Sequence, residues 1–157
     1  MRTRLKTALL PLLFAALGTA AHAAELSCPD LKEAVQVAAC PTDAELRFTF
    51  MGYCGDNARL YGRDVLTCAS FENYRAVKNI ALWESADGGF SGYLSCNVPP
   101  EQIRASQALR MKVERQKNLT RLICDYDNDH RLEHRGKAAC TVEAADCSTG
   151  DCRAVCE

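Results

Sequence analysis

The stretch "LRMKVERQKNLTRLICDYDNDHRLEHR", residues 109 to 135, decides the fold class. Leu109, Met111 and Val113 alternate with Arg110, Lys112 and Glu114. Alternation of period two puts the two sets on opposite faces of a strand. Gln116, Lys117 and Asn118 form a polar break, after which "LTRLICDY" returns. Asp127, Asn128 and Asp129 form a second break, and "RLEHR" follows. Such breaks between alternating runs are the signal of antiparallel hairpins.

On the N-terminal side of this stretch, "NIALWES" (Asn79 to Ser85) alternates, turns at Ala86 to Gly89, and returns as "FSGYLSC". "LRFTFMGYC" (Leu46 to Cys54) reads the same way, with a turn at Gly55-Asp56-Asn57 and a return in "RLYGRDVLTC". The expectation is a mainly β domain, an antiparallel meander or small barrel of about seven strands. Its apolar face would be drawn from Phe48, Phe50, Ile80, Leu82, Leu94, Leu109, Met111, Val113, Leu122 and Cys124. "CPDLKEAVQVAAC" (Cys28 to Cys40) reads as a short N-terminal helix, with Pro29 at its start and Leu31, Val35 and Ala38 at helical spacing.

The chain repeats itself. "CGDNARLYGRDVLTC" (Cys54 to Cys68) and "CDYDNDHRLEHRGKAAC" (Cys124 to Cys140) share Asp-Asn, Arg-Leu and a Gly/Arg pair in one order. "FENYRAVKNIAL" (Phe71 to Leu82) matches "PEQIRASQALRM" (Pro100 to Met111) at a constant offset of 29, with Glu72, Arg75 and Ala76 identical to Glu101, Arg104 and Ala105. The spacings Cys68 to Cys96 and Cys96 to Cys124 are both 28. These echoes suggest a duplicated hairpin unit, with residues 46–96 and 100–140 as the two copies.

The N-terminus carries Arg2, Arg4 and Lys6, an apolar run from Ala8 to Leu17, and a small-residue site at Ala21-His22-Ala23. That is the grammar of a secretory signal peptide over residues 1–23, leaving 24–157 as one domain. Glu25 stands three positions before Cys28, where a lipoprotein signal has an aliphatic residue. A soluble periplasmic or secreted protein is expected, with no membrane insertion after cleavage.

Without the leader, sixteen basic residues face twenty acidic ones, a net charge near −4 that argues against nucleic-acid binding. The ten cysteines (28, 40, 54, 68, 96, 124, 140, 147, 152 and 156) all follow the leader. Export and an even count imply disulfides, and no Cys-x-x-Cys motif supports a redox or zinc centre. Sequence leaves the connectivity open. Local economy suggests Cys28–Cys40, a bridge among Cys147, Cys152 and Cys156, and a link between the strands that Cys96 and Cys124 close. The tail from Cys140 has little apolar content and depends on its bridges for order.

Candidate chemistry is sparse. His130 and His134, four apart on a strand, would sit about 13 Å from each other, too far to share a metal, and read as exposed hairpin residues. Asp125, Asp127 and Asp129 alternate as in a calcium loop. His130 and Gly136 then occupy the positions where an EF-hand has Gly and Glu, so the three aspartates are weak metal candidates only. "GGFSGY" (Gly88 to Tyr93) lacks the Gly-x-Ser-x-Gly spacing of a nucleophile elbow. No catalytic residue and no cofactor is expected.

Charge is the stronger lead. Arg104 to Lys137 holds nine basic residues against five acidic ones, and Arg110 and Lys112 would line one strand face. Trp83, opposite Leu82 in the alternation, would be an exposed aromatic anchor. These residues suggest a protein-binding surface. The expected function is non-catalytic binding of another envelope or secreted protein, as a hydrolase inhibitor or toxin-immunity protein. Alternatives are an assembly component of a surface or secretion apparatus, or a small hydrolase using Asp125 with Asp127 or Glu133. Oligomeric state is not legible.

Overall fold

The computed structural model describes residues 23–157. Apart from Ala23, the expected leader lies outside the described residues. In chain order the elements are β1 (Ala24–Ser27), a single helical turn (Leu31–Glu33), β2 (Val35–Gln36), α1 (Asp43–Cys54), a wide helical turn (Arg59–Arg63), α2 (Val65–Cys68) and α3 (Phe71–Lys78). Then come β3 (Ile80–Glu84), β4 (Ser91–Ser95), α4 (Pro100–Arg104), β5 (Ala108–Gln116), β6 (Leu119–Tyr126), a turn (Asp127–Asp129), β7 (Arg131–Gly136), β8 (Cys140–Ala144) and β9 (Arg153–Cys156). The protein is mainly β, with two antiparallel sheets ordered β2-β3-β4-β7-β6-β5 and β1-β9-β8.

The deciding stretch folds as its alternation demands. Met111 pairs with Cys124 and Val113 with Leu122, and Lys117 takes a left-handed φ of 55° at the β5–β6 turn. β7 then pairs with β6 on one side and touches β4 on the other through Ser91 and Glu133. One strand thereby joins two hairpins into a single sheet. Gly92 permits the approach, because a Cβ there would overlap the carbonyl oxygen of Arg131. Gly92→Ala is expected to cost about 1–3 kcal/mol by forcing β4 and β7 apart. Urea unfolding measures it, and an unchanged midpoint would mean that β7 yields without loss.

The core between sheets and helices holds Leu31, Trp83, Leu94, Ile103, Met111, Leu122 and Leu132. Trp83 is 2% exposed, which reverses the expected facing of β3. Ala81 and Trp83 point inward opposite Leu94 and Gly92, while Leu82 points outward beside Tyr93. Burying an indole removes more apolar surface from water than burying Leu82 would. Leu109 sits at a bulge beside Ala108 and is largely exposed, and Val113 lies at the sheet edge, so neither joins the core.

The segment from Leu46 to Cys68 is helical rather than a hairpin. Thr42 caps α1: its hydroxyl accepts from the Glu45 amide at 3.2 Å, and the Glu45 carboxylate accepts from the Thr42 amide at 2.7 Å. This reciprocal pair satisfies two otherwise orphaned donors of the first turn. Leu46, Cys54, Cys68 and Tyr74 form a second, smaller core, and Phe50 packs edge-on to Phe71 and Tyr74. Phe48, placed in the apolar face by sequence, is 75% exposed on α1. The Cys28 to Cys40 stretch is one capped turn and a two-residue strand, not a helix, because its two cysteines are drawn to different parts of the main sheet.

The bridges are Cys28–Cys124, Cys40–Cys96, Cys54–Cys68, Cys140–Cys156 and Cys147–Cys152. Cys147–Cys152 follows the local expectation. Cys28 and Cys40 are not joined, nor are Cys96 and Cys124. Five bridges suit an oxidising environment. Among the described residues no helix is long and apolar enough to cross a membrane. Both stretches of the offset-29 echo have the order helix, strand, turn, strand: α3-β3-β4 and α4-β5-β6. The other echo does not extend to structure, since Cys54 to Cys68 is helical and Cys124 to Cys140 contains β7.

Candidate functional site

Antiparallel register puts Arg110, Lys112 and Glu114 of β5, Arg121, Ile123 and Asp125 of β6, and Arg131, Glu133 and Arg135 of β7 on the outer face of the large sheet. Tyr93 of β4 continues that face and is 68% exposed. Two carboxylates organise the cations. Asp125 receives Arg131 Nε at 2.7 Å on one oxygen, with Lys112 Nζ at 3.4 Å and Arg110 Nη2 at 3.6 Å from the other. Glu133 binds Arg121 and receives Arg135 Nη2 at 3.0 Å. Arg121 also reaches Glu114 at 3.0 Å.

Ile123 lies in the middle of this charged face yet is fully buried. Register puts Lys112 and Glu133 beside it, with Arg121 and Asp125 two residues along its own strand. Long basic side chains cover apolar surface with their stems while their heads stay wet. The face is therefore an ordered lattice over an apolar floor, with five cations against three carboxylates.

Burial pushes the Asp125 carboxyl up, but the hydrogen bond and charge of Arg131, joined by Lys112, outweigh it and hold the group below its ordinary value. The Arg121 hydrogen bond, with Arg135, lowers Glu133 against its own burial. His130 is held below the usual histidine range by burial, opposed by Asp127 and Asp129. For the carboxylates, a depressed folded pKa gives stability that is present above the unfolded value and lost as pH falls through the folded one. For His130, the unfolded chain takes up a proton first, so stability declines below its unfolded pKa. Stability should thus fall in two stages, from about pH 6.5 and again below about pH 4. Melting temperature against pH tests this: His130→Asn should remove the first stage only, and a first stage that persists would assign it elsewhere.

Two clefts flank the lattice and Arg131 borders both. One, of about 620 Å³, is lined by Arg110, Asp125, Asp129, His130, Arg131 and Asp146. The other, of about 350 Å³, is lined by Leu82, Ser91, Tyr93, Arg131, Glu133 and Arg135.

The sequence candidates divide. Arg110 and Lys112 stand at the centre of the site. Trp83 does not: it is core, with the Arg104 guanidinium 5.4 Å from its ring. Asp125, Asp127 and Asp129 do not converge on a common point. Asp125 is held by cations, Asp127 accepts from the Gln107 amide at 3.2 Å, and Asp129 lines the larger cleft. Among the described residues no three carboxylate or histidine groups gather at metal-ligand distance.

His130 is 4% exposed rather than open. Its Nδ1 pairs with Ser106 Oγ at 3.0 Å, and Ser106 Oγ also donates to the Gln102 carbonyl at 3.2 Å. With that hydroxyl proton engaged, Nδ1–H donates to Ser106. Ser106 is itself buried, so the pair pins α4 to the β6–β7 turn. His134 donates to the Gly89 carbonyl at 2.8 Å and packs on Phe90, closing the β3–β4 turn. Arg121, Arg131, Arg135 and Tyr93 were not singled out from sequence, and Glu133 only as a carboxylate partner of Asp125 in the hydrolase alternative. The alternation in "RLEHR" carries the signal for Arg131, Glu133 and Arg135, once β7 is paired with β6.

No family model, no curated protein and no solved structure matches the chain.

Proposed function

We propose that the protein is an exported, non-catalytic binding protein that recognises another envelope or secreted protein through the outer face of its large sheet, and inhibits or neutralises it. The observation that supports this is the lattice itself. Five cations are ordered around Asp125 and Glu133 on paired strands, beside an exposed tyrosine and two clefts. Ordered charge on rigid strands costs little side-chain entropy on docking and steers an acidic partner. Its net charge is opposite in sign to that of the chain without its leader. The leader grammar and the five bridges support the periplasm or medium as the place of action.

The test compares the oxidised wild-type protein with Arg110→Gln/Arg135→Gln. Arg110 and Arg135 are the most exposed cations of the two clusters, at 66% and 64% of their side-chain surface. Removing them leaves Asp125 with Lys112 and Arg131, and Glu133 with Arg121, so the fold keeps its ion pairs. Affinity capture from envelope extract and medium, followed by titration of the captured enzyme or toxin, gives the readout. The expected result is one stoichiometric partner whose activity falls on adding wild type, with binding about tenfold weaker for the double variant at low salt. Capture of a set of surface or secretion components would move the reading to assembly, and equal binding by both proteins would remove the lattice from it.

A further inference from the structure

Two of the five disulfides meet. Cys28–Cys124 ties the N-terminal segment to the C-terminal half of β6, and Cys147–Cys152 closes the loop between β8 and β9. The sulfurs of Cys28, Cys147 and Cys152 all lie within 4.8 Å of one another. Both bridges open onto one cleft of about 210 Å³, which Asp30, Ser106 and Gly150 also line. The four cysteines differ in access: Cys124 and Cys152 are buried, while Cys28 and Cys147 are partly exposed. Ser148, Thr149, Gly150 and Asp151 between Cys147 and Cys152 are exposed and carry no large apolar side chain. Gly150 adopts φ 154°, and the loop is anchored at its start by Asp146, which accepts from the Ser148 amide at 2.9 Å.

Thiol–disulfide exchange needs a thiolate delivered to a disulfide sulfur. Holding the two within one cleft makes the step intramolecular and raises its effective concentration steeply. We propose that these four cysteines form an exchange centre that passes a disulfide to an external dithiol, with Cys147 as the outer sulfur and Cys28–Cys124 as the inner bridge.

A thiolate of the dithiol attacks Cys147 Sγ; the Cys147–Cys152 bond breaks and its electron pair leaves on Cys152 Sγ. The Cys152 thiolate attacks Cys28 Sγ, forming Cys28–Cys152, and Cys124 leaves as a thiolate that takes a proton from water. The second thiol of the dithiol attacks its own sulfur in the mixed disulfide, departs as a cyclic or intramolecular disulfide, and leaves Cys147 as a thiol. The dithiol has lost two electrons. The protein has gained them as thiols at Cys124 and Cys147, and one bridge has moved. The substrate class is a dithiol, either a small one or a protein Cys pair.

The experiment treats the oxidised full-length exported protein with one equivalent of dithiothreitol, quenches with an alkylating reagent, and maps bridges by mass spectrometry. The expected product has Cys28–Cys152 with alkyl groups on Cys147 and Cys124. Alkylation of Cys147 and Cys152 with Cys28–Cys124 intact overturns the relay, as does first reduction at any of the other three bridges. A second variant needs no reductant. Cys147→Ala leaves Cys152 a thiol beside Cys28, and about a tenth or more of the molecules should carry Cys28–Cys152. Only Cys28–Cys124 with a free Cys152 would also overturn it.

Discussion

Replacing Cys28 and Cys124 together by alanine is expected to lower stability by about 4–5 kcal/mol, the largest effect of any single bridge. The reason is loop length. This bridge spans a sequence separation of 96, against 5 for Cys147–Cys152. Chain entropy released to the unfolded state grows with that separation, so the short bridge is worth about 2 kcal/mol. Cys124 is also fully buried in the main core, so its loss opens a small cavity there. At about 3–5 °C per kcal/mol for a domain of this size, the long-bridge variant should melt more than about 10 °C below wild type. Calorimetry on both double variants decides the matter. Equal melting temperatures would mean that unfolded-chain entropy is not what the long bridge contributes.

The second large effect is at Trp83. Trp83→Ala should cost about 3–5 kcal/mol through a cavity in the main core, which Trp83 shares with Leu31, Leu94 and Leu122, whereas Trp83→Phe should cost about 1–2. Because the chain has a single tryptophan, its fluorescence reports this site alone. Emission should be that of a shielded indole, poorly quenched by acrylamide until the protein unfolds. Strong quenching in the native state would return Trp83 to the surface. Partner binding by Trp83→Phe should equal that of wild type, which separates a core role from the anchor role that its alternation in β3 suggests.

The contrast between these residues and the charged face marks what the sequence made legible. β5, β6 and β7 were readable because alternation, turn residues and a buried face all agree there. β3 was readable as a strand but not in its facing. Ile80 and Leu82 on one side and Ala81 and Trp83 on the other alternate equally well, and only packing against β4 and the rest of the core chooses. α1 was misread because "LRFTFMGYC" alternates like a strand. The local signal for the helix lay just upstream, in Thr42 and Glu45, whose spacing builds the cap. Arg110 and Lys112 could be picked out as neighbours on one strand. Arg121, Arg131 and Arg135 join them only through cross-strand register, which no single strand records. The aspartates of "DYDNDH" looked alike in sequence, yet each found a different partner, and that choice is tertiary.

The chain after β8 runs along the outer margin of β5. The Met111 amide donates to the Ala145 carbonyl at 2.8 Å, and the Cys147 amide donates to the Leu109 carbonyl at 3.1 Å. Half of an otherwise open strand is thus stoppered by the protein's own tail. The remaining half, Lys112 to Gln116, carries Lys112, Glu114 and Arg115, charges that discourage a second strand from docking there. The tail therefore also occupies the Leu109 to Met111 part of that margin, and a chain truncated before Ala145 is expected to leave those backbone groups open to pairing with a second strand.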